Sequence, residues 1–419
     1  QFFEESLPSV IPNYEERTGQ LAMALEVTDA FNQGTVGLLE AGTGTGKSLA
    51  YLVPSALWAI HNDARVAVST YTIALQGQLM QSDLPLLSRA GLEVRYAAMM
   101  GRSNYLCKRK MGHAATEPGT GDEANAIRSL AAWARTTPSG QRADLTFPVQ
   151  DEDWERVNSD ADQTLRVRCP HYNTCHYYEA RREAADAHIL VVNHNLLLAD
   201  LHMKHDTGGV GVLPRFDRIV LDEGHHLEDA ATLLFEDRVG IEGIRRAVRP
   251  LLPNKRSRKG ALAKIHSKYL SGAGPLDPDE TESAATHLTD VNDAATTLLA
   301  DAPVWFEAIA DATRLADAAP QRTTDEYRTT PQWANRLVPQ LNAASSAIHR
   351  VLRPLDRLLD TLEGLPDAVR TADAQLLFDL VKARRRLGDK AKSIANFHGS
   401  ANPDESDTLT GEASWVSWL

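Results

Sequence analysis

Residues 40–48 read Glu40-Ala41-Gly42-Thr43-Gly44-Thr45-Gly46-Lys47-Ser48. A short apolar run, Val36 to Leu39, leads into this turn, and Ser48 to Ile60 carries helical apolar spacing after it. Strand, glycine-rich turn and helix in that order predict a phosphate-binding loop. Glycines let the backbone curl until its N–H groups face an anion, and the following helix N-terminus adds a favourable dipole. In this reading Gly42, Thr43, Gly44, Thr45 and Gly46 cradle the phosphates of ATP. Lys47 reaches the β- and γ-phosphates, and Ser48 ligates Mg²⁺. The loop departs from G-x-x-x-x-G-K-[ST] at one place, because Ala41 holds the first glycine position.

Working outward, residues 14–33 have helical periodicity and Arg65 to Thr70 is a β-branched strand candidate. His188 to Asn193 and Arg218 to Asp222 read as buried strands of the same sheet, so an α/β fold with a parallel sheet is expected. Asp222-Glu223-Gly224-His225 closes the last of these strands. Carboxylates at the C-terminal edge of a parallel strand face the crevice where ligands bind. Asp222 is expected to hold Mg²⁺, Glu223 to polarise the attacking water as general base, and His225 to sense the nucleotide. Between about Lys108 and Arg168 the regular texture is lost, which marks an insertion. From Glu236 onward strand candidates vanish, and segments such as Glu282 to Asp317 and Gln332 to Leu362 have helical spacing, separated by proline breakers.

The chain has 419 residues, 43% of them hydrophobic and 24% charged, which fits a globular protein of several domains. The formal net charge is −12, so any nucleic-acid contact must come from local basic patches. Three cysteines are too few, and odd in number, for a disulfide framework. A reducing, cytoplasmic setting is expected, with no membrane partner. No apolar run approaches the roughly 20 residues a bilayer requires, and the opening QFFEESLPSV is not an export signal and lacks an initiator Met.

Loop and acidic box in this order resemble superfamily 2 helicases, and further motifs are similar to those of the DinG/XPD-like group. Arg17-Thr18-Gly19-Gln20 resembles the element that reads adenine, with Gln20 the reader. Ser69-Thr70 with Ala74-Leu75-Gln76 resembles a motif that touches the DNA backbone, through Thr70 and Gln76. Gly101-Arg102-Ser103-Asn104-Tyr105-Leu106-Cys107 resembles the start of an iron–sulfur insertion, and Cys169-Pro170-His171-Tyr172 with Cys175 its end. Ala180 to Glu183 and Val191-Val192-Asn193-His194 also fit the group.

This resemblance implies a RecA-like P-loop motor domain with an inserted cysteine-containing small domain and an α-helical arch domain. Its segments are residues 1–105 and 181–235 for the motor domain, 106–180 for the insertion and 236–412 for the arch. Residues 413–419, including Ser414-Trp415-Val416-Ser417-Trp418-Leu419, look like a return to the motor core. No Gln-x-x-Gly-Arg-x-x-Arg-like segment of a second motor domain occurs in the sequence, so these 419 residues are expected to be part of a longer protein and to unwind nothing alone.

The group holds a [4Fe–4S] cluster on four cysteines, whereas here Cys107, Cys169 and Cys175 are joined by Thr164 at the fourth position. Three readings stay open: a cluster completed by Asp160 or Asp162, an insertion without a cluster, or a zinc site that uses His171 or His176. Arg102, Lys108, Arg109 and Lys110 at the start of the insertion, and Arg166, Arg168, Arg181 and Arg182 at its end, are candidates to line a pore for single-stranded DNA. Tyr172, Tyr177 and Tyr178 are candidates to stack on bases. Lys255 to Lys259, and Lys382 with Arg384 to Arg386, are further basic stretches. The implied activity is an ATP-dependent 5′–3′ helicase on single-stranded DNA and on forked or R-loop duplexes. The alternatives are a DinG-type helicase recruited to an RNA-guided complex, or a non-motor ATP-gated DNA-binding or recruitment module.

Overall fold

A computed structural model describes residues 2–42, 44–116, 118–119, 121–253, 260–271, 274–313, 322–323, 325–398 and 417–418. Two compact units divide the chain, Gln1–Glu236 and Asp237–Leu419.

In the first unit, helix α1 (Thr18–Gln33) buries Gln20, Ala24, Val27 and Phe31 along one stripe and stops at Gly34. That glycine takes a left-handed φ of 65°, which few other residues tolerate, and its N–H caps the Ala30 carbonyl. Helix α2 (Lys47–Asn62) starts directly at the end of the glycine loop. Strand β1 (Val66–Thr70) follows, buried at every position. Thr72 then caps helix α3 (Ile73–Gln78), its hydroxyl accepting from the Leu75 N–H at 3.2 Å. Strand β2 (Tyr96–Ala98) has only three residues. The insertion carries α4 (Lys108–Thr116), α5 (Asp122–Trp133) and α6 (Asp151–Val157), and α7 (His176–Asp186) leads from it back to the sheet. Strand β3 (Ile189–Asn193), helix α8 (His194–Asp206), strand β4 (Arg218–Leu221) and helix α9 (Leu227–Phe235) complete the unit.

The four strands form one parallel sheet in the order β2-β3-β1-β4. Successive side chains on a strand point to opposite faces, and each face has its own core. Val66, Val68, Ile189 and Val191 pack with Phe31, Tyr51, Leu52 and Ala56 on one side. Ala97, Leu190 and Val192 pack with Tyr105, Tyr177, Leu196 and Leu197 on the other. This two-sided burial explains the continuous apolar reading of HILVVN. Register aligns the C-terminal ends of three strands: Thr70 lies opposite Asn193, and the Asp222 N–H donates to the Ser69 carbonyl at 2.8 Å.

The strand expected over Val36 to Leu39 does not form. The segment is extended but unpaired, with Val36 and Leu38 each 99% exposed. A strand is stabilised by its partner, and among the described residues no strand pairs with this run. β4 is accordingly an edge, and Ile219 and Leu221 remain 37% and 40% exposed.

The insertion has its own apolar cluster of Leu106, Met111, Ala114, Ile127, Leu130, Trp154 and Val157. Its two ends are tied by backbone hydrogen bonds, Cys107 N–H to Val157 O at 2.7 Å and Ser159 N–H to Tyr105 O at 2.7 Å.

The second unit is helical, built on α10 (Ile241–Val248), α11 (Pro278–Thr313), α12 (Val338–Glu363) and α13 (Ala374–His398). Val291, Leu298, Ile348, Val351, Leu355 and Leu380 lie in its core. The helical segment read as Glu282 to Asp317 is α11, with residues 314–317 outside the described set. Lys255, Arg256, Arg258 and Lys259 also fall outside it. Arg322–Thr323 pairs antiparallel with Ser417–Trp418, and residues 414–416 and 419 lie outside the described set. Lys382 is buried, so the basic face of α13 consists of Arg384, Arg385 and Arg386.

Candidate functional site

The loop before α2 turns on two glycines with left-handed φ, +83° at Gly44 and +82° at Gly46. Gly46 has a second constraint, because a Cβ there would lie 2.0 Å from Gln20 Nε2. Gln20 is buried on α1, and its amide donates to the Gly46 carbonyl at 2.9 Å. Arg17 donates to the Gly44 carbonyl at 2.6 Å, and Thr45 Oγ1 to the Gly42 carbonyl at 2.8 Å. The Arg17–Gln20 element therefore braces the loop directly. Thr43 lies outside the described residues.

Lys47 and the acidic box meet at the sheet rim. Lys47 Nζ donates to the Ala41 carbonyl at 3.3 Å and lies 3.6 Å from Glu223 Oε1. Glu223 holds a left-handed backbone, φ 54° and ψ 45°, unusual for a residue with a Cβ. His225, exposed, has Nδ1 at 3.6 Å from Glu223 Oε2. Asp222 is pushed above the usual carboxylate range by burial and by Glu223, against the pull of the Tyr51 hydroxyl and Lys47.

Two residues at this site were not singled out in the sequence. Asp83 lies beside Ser48, and burial and Asp222 raise its carboxyl. Tyr51 projects from the first turns of α2, its hydroxyl raised by burial and by Asp222. The Tyr51 hydroxyl and Asp83 Oδ2 are both buried without a hydrogen-bond partner of good geometry. Two neighbouring carboxyls, Asp83 beside the Ser48 hydroxyl and Asp222 beside that of Tyr51, are what a divalent cation relieves, and Mg²⁺ is commonly held by one or two carboxylates together with phosphate oxygens and water. The donor set fits that ion. A signal for Asp83 existed in the Asp-Leu-Pro that opens the next helical turn, but its distance from Ser48 depends on tertiary packing.

The expected DNA contacts fare differently. Thr70 and Gln76 are fully buried, and the Gln76 amide donates to Met99 O at 3.3 Å and Val191 O at 3.4 Å. These two residues are corrected to interior positions, and the exposed member of that stretch is Tyr71. Arg102 is engaged by protein groups. Its guanidinium donates to Ser159 Oγ at 2.9 Å and Thr164 Oγ1 at 3.1 Å, and it lies 4.2 Å from the Tyr177 ring centroid. Arg109 donates to Gln163 O at 2.6 Å, and Lys110 is buried against Glu155 O and Asn158. Lys108 is part-exposed, Arg166 and Arg168 are exposed, and Arg181 stands against Tyr177 from α7. The two ends of the insertion thus converge on Tyr177, beside which Tyr172 and Tyr178 pack with centroids 4.6 Å apart.

Cys107, Cys169 and Cys175 are free and part-exposed. Among the described residues no three His, Cys, Asp or Glu side chains converge as a metal-binding group. Thr164, at the fourth cysteine position, already accepts from Arg102. These residues do not fit a [4Fe–4S] cluster, which needs thiolates around one point. His176, weighed as a zinc ligand, is buried in the insertion, and burial lowers its basicity.

A parallel sheet that presents a glycine loop, Lys47 and an Asp-Glu pair on one rim defines an α/β RecA-like P-loop unit. Within that class the chain is similar to proteins named DinG and YoaA. It is 37% identical over 285 residues to "ATP-dependent helicase DinG" of Mycobacterium tuberculosis, covering 62% of this chain and 42% of that protein. It is 37% identical over 238 residues to "ATP-dependent DNA helicase YoaA" of Escherichia coli, covering 55% and 36%. It is 32% identical over 304 residues to "3'-5' exonuclease DinG" of Bacillus subtilis, covering 70% and 31%. The chain spans less than half the length of these curated relatives. No protein-family model matches it. No helix among the described residues is long and apolar enough to cross a membrane.

Proposed function

We propose that this chain forms the nucleotide-binding part of an ATP-dependent DNA helicase that moves 5′–3′ along single-stranded DNA. The observation that carries this reading is the approach of Lys47 Nζ to Glu223 Oε1, 3.6 Å apart, which joins the glycine loop to the acidic box. With ATP bound, Lys47 turns to the β- and γ-phosphates and releases Glu223 to polarise a water. Ser48 and Asp222 would hold Mg²⁺, with Asp83 steadying the serine hydroxyl, and the bound ion would supply charge neutralisation at the phosphate oxygens. Lys108, Arg168 and Arg181 line the path of the strand, as phosphate contacts do in sequence-independent binding. The names of the relatives above support DNA as the substrate; forked and R-loop duplexes are the proposed structures opened.

Lys47→Ala in the full-length protein tests the reading. Hydrolysis of ATP is expected to fall at least about 100-fold, the scale for removing a preorganised charge from a transition state. Unchanged turnover would overturn the site.

A further inference from the structure

Two contacts of the Ser69–Thr72 turn, one with His226 and one with His194, play no part in the chemistry above. At the surface, the ring of Tyr71 lies flat on His226, with centroids 3.9 Å apart and planes 14° apart. Beneath it, Ser69 Oγ and His194 Nδ1 are 2.8 Å apart. His194 is fully buried, and its Nε2 faces backbone groups of Asp222 and Glu223 without a hydrogen bond of good geometry.

Topology makes this pair a bridge. β3, whose last residue precedes His194, is not a neighbour of β4, because β1 lies between them. His194 therefore crosses the end of β1, gripping Ser69 as it reaches the box. Thr72 fixes the other side of the turn by capping α3. Between these anchors Tyr71 is 39% exposed, with one ring face covered by His226. A flat aromatic at a sheet rim is a platform for a nucleobase, since stacking accepts any base. His226 belongs to the same short turn as Glu223, and its N–H donates to the Glu223 carbonyl at 3.0 Å. Displacing the His226 ring therefore acts on the backbone of Glu223, which already sits in a sparsely populated conformation.

We propose that Tyr71 stacks on a base of single-stranded DNA and passes that occupancy through His226 to Glu223, with the Ser69–His194 pair as the fixed floor of the turn. This rests on the function proposed above. It assigns the coupling to His226, which faces the DNA-side turn, and not to His225, which faces Glu223.

The test compares ATP hydrolysis by the full-length protein with and without oligo(dT), together with oligo(dT) affinity. For Tyr71→Ala, and for Tyr71→Leu which keeps apolar bulk without a stacking face, the ratio of DNA-stimulated to DNA-free hydrolysis falls about fivefold or more, the lower range of site-to-site coupling. Tyr71→Phe retains the ratio. His226→Ala lowers it alone, and adding Tyr71→Ala lowers it no further, as two residues acting through one contact require. A full ratio in Tyr71→Leu, or loss in Tyr71→Phe equal to that in Tyr71→Leu, overturns the proposal. So does a wild-type protein that hydrolyses ATP without stimulation by DNA. Failure of the underlying function is separately visible, because Lys47→Ala would then turn over like wild type.

Discussion

Glu223 carries a left-handed backbone at the position where the water-activating carboxylate is expected. For a residue with a Cβ this conformation costs about 1–2 kcal/mol. Its ion pair with Lys47, with both side chains about a third exposed, returns little of that in water. Glu223→Gly should therefore be more stable than Glu223→Ala by about 1 kcal/mol in chemical denaturation, because glycine adopts this φ freely. Both variants should lack hydrolysis; equal stability of the two would show that the turn relaxes without cost. At this scale the sequence pointed to Lys47, Ser48, Asp222 and Glu223 because they flank a glycine run or a strand end, and the fold brings Lys47 and Glu223 together. It was silent on Asp83, Tyr51, Tyr71 and His226, whose roles come from neighbours distant in the chain. It misplaced Thr70 and Gln76, because alternation along β1 and packing of α3 turn both inward.

The insertion folds as an element with its own interior. Leu130 is fully buried among Ile127, Trp154 and Val157, so Leu130→Ala should cost about 2–5 kcal/mol and expose residues 106–180 to limited proteolysis. Treatment of the wild-type protein with an iron chelator should leave the same proteolytic pattern unchanged, since the thiols and Thr164 do not form a ligand set. Cleavage that begins only after chelation would refute this. Three buried histidines, His176, His188 and His194, are held below the usual imidazole range chiefly by burial. A depressed imidazole favours the fold while neutral, and the unfolded chain takes up protons first. Their contribution is thus full above about pH 6.5 and is lost as pH falls toward their lower folded values. The melting temperature should drop between pH 7 and pH 5, and His188→Gln should flatten that slope. Elements were legible where periodicity is long, as in α1, α2, α12 and the strands β1 and β3. β2 escaped notice because it has three residues, two of them alanine, a weak strand former. Val36 to Leu39 was apolar enough for a strand, but its composition says nothing about whether a neighbour exists.

On the scale of the whole chain, net charge −12 coexists with basic side chains gathered at the insertion ends, at Lys108, Arg166, Arg168, Arg181 and Arg182. The acidic remainder repels nucleic acid, so binding should be confined to that patch and steeply salt-dependent. The two compact units divide after Glu236, and in the sequence β-branched runs give way to alanine-rich helical spacing from about that residue. The outer flank of β4 remains a consequence to draw. Along Arg218–Leu221 one side of the backbone pairs with β1, while among the described residues no strand takes up the other. Beside it in composition, if not in hydrogen bonding, stands an apolar thread with Val36 and Leu38 in water. Such a flank is a template for any extended peptide, including one from another copy of the molecule. Concentrated solutions of these 419 residues should scatter light increasingly over time, and Ile219→Lys should keep them clear.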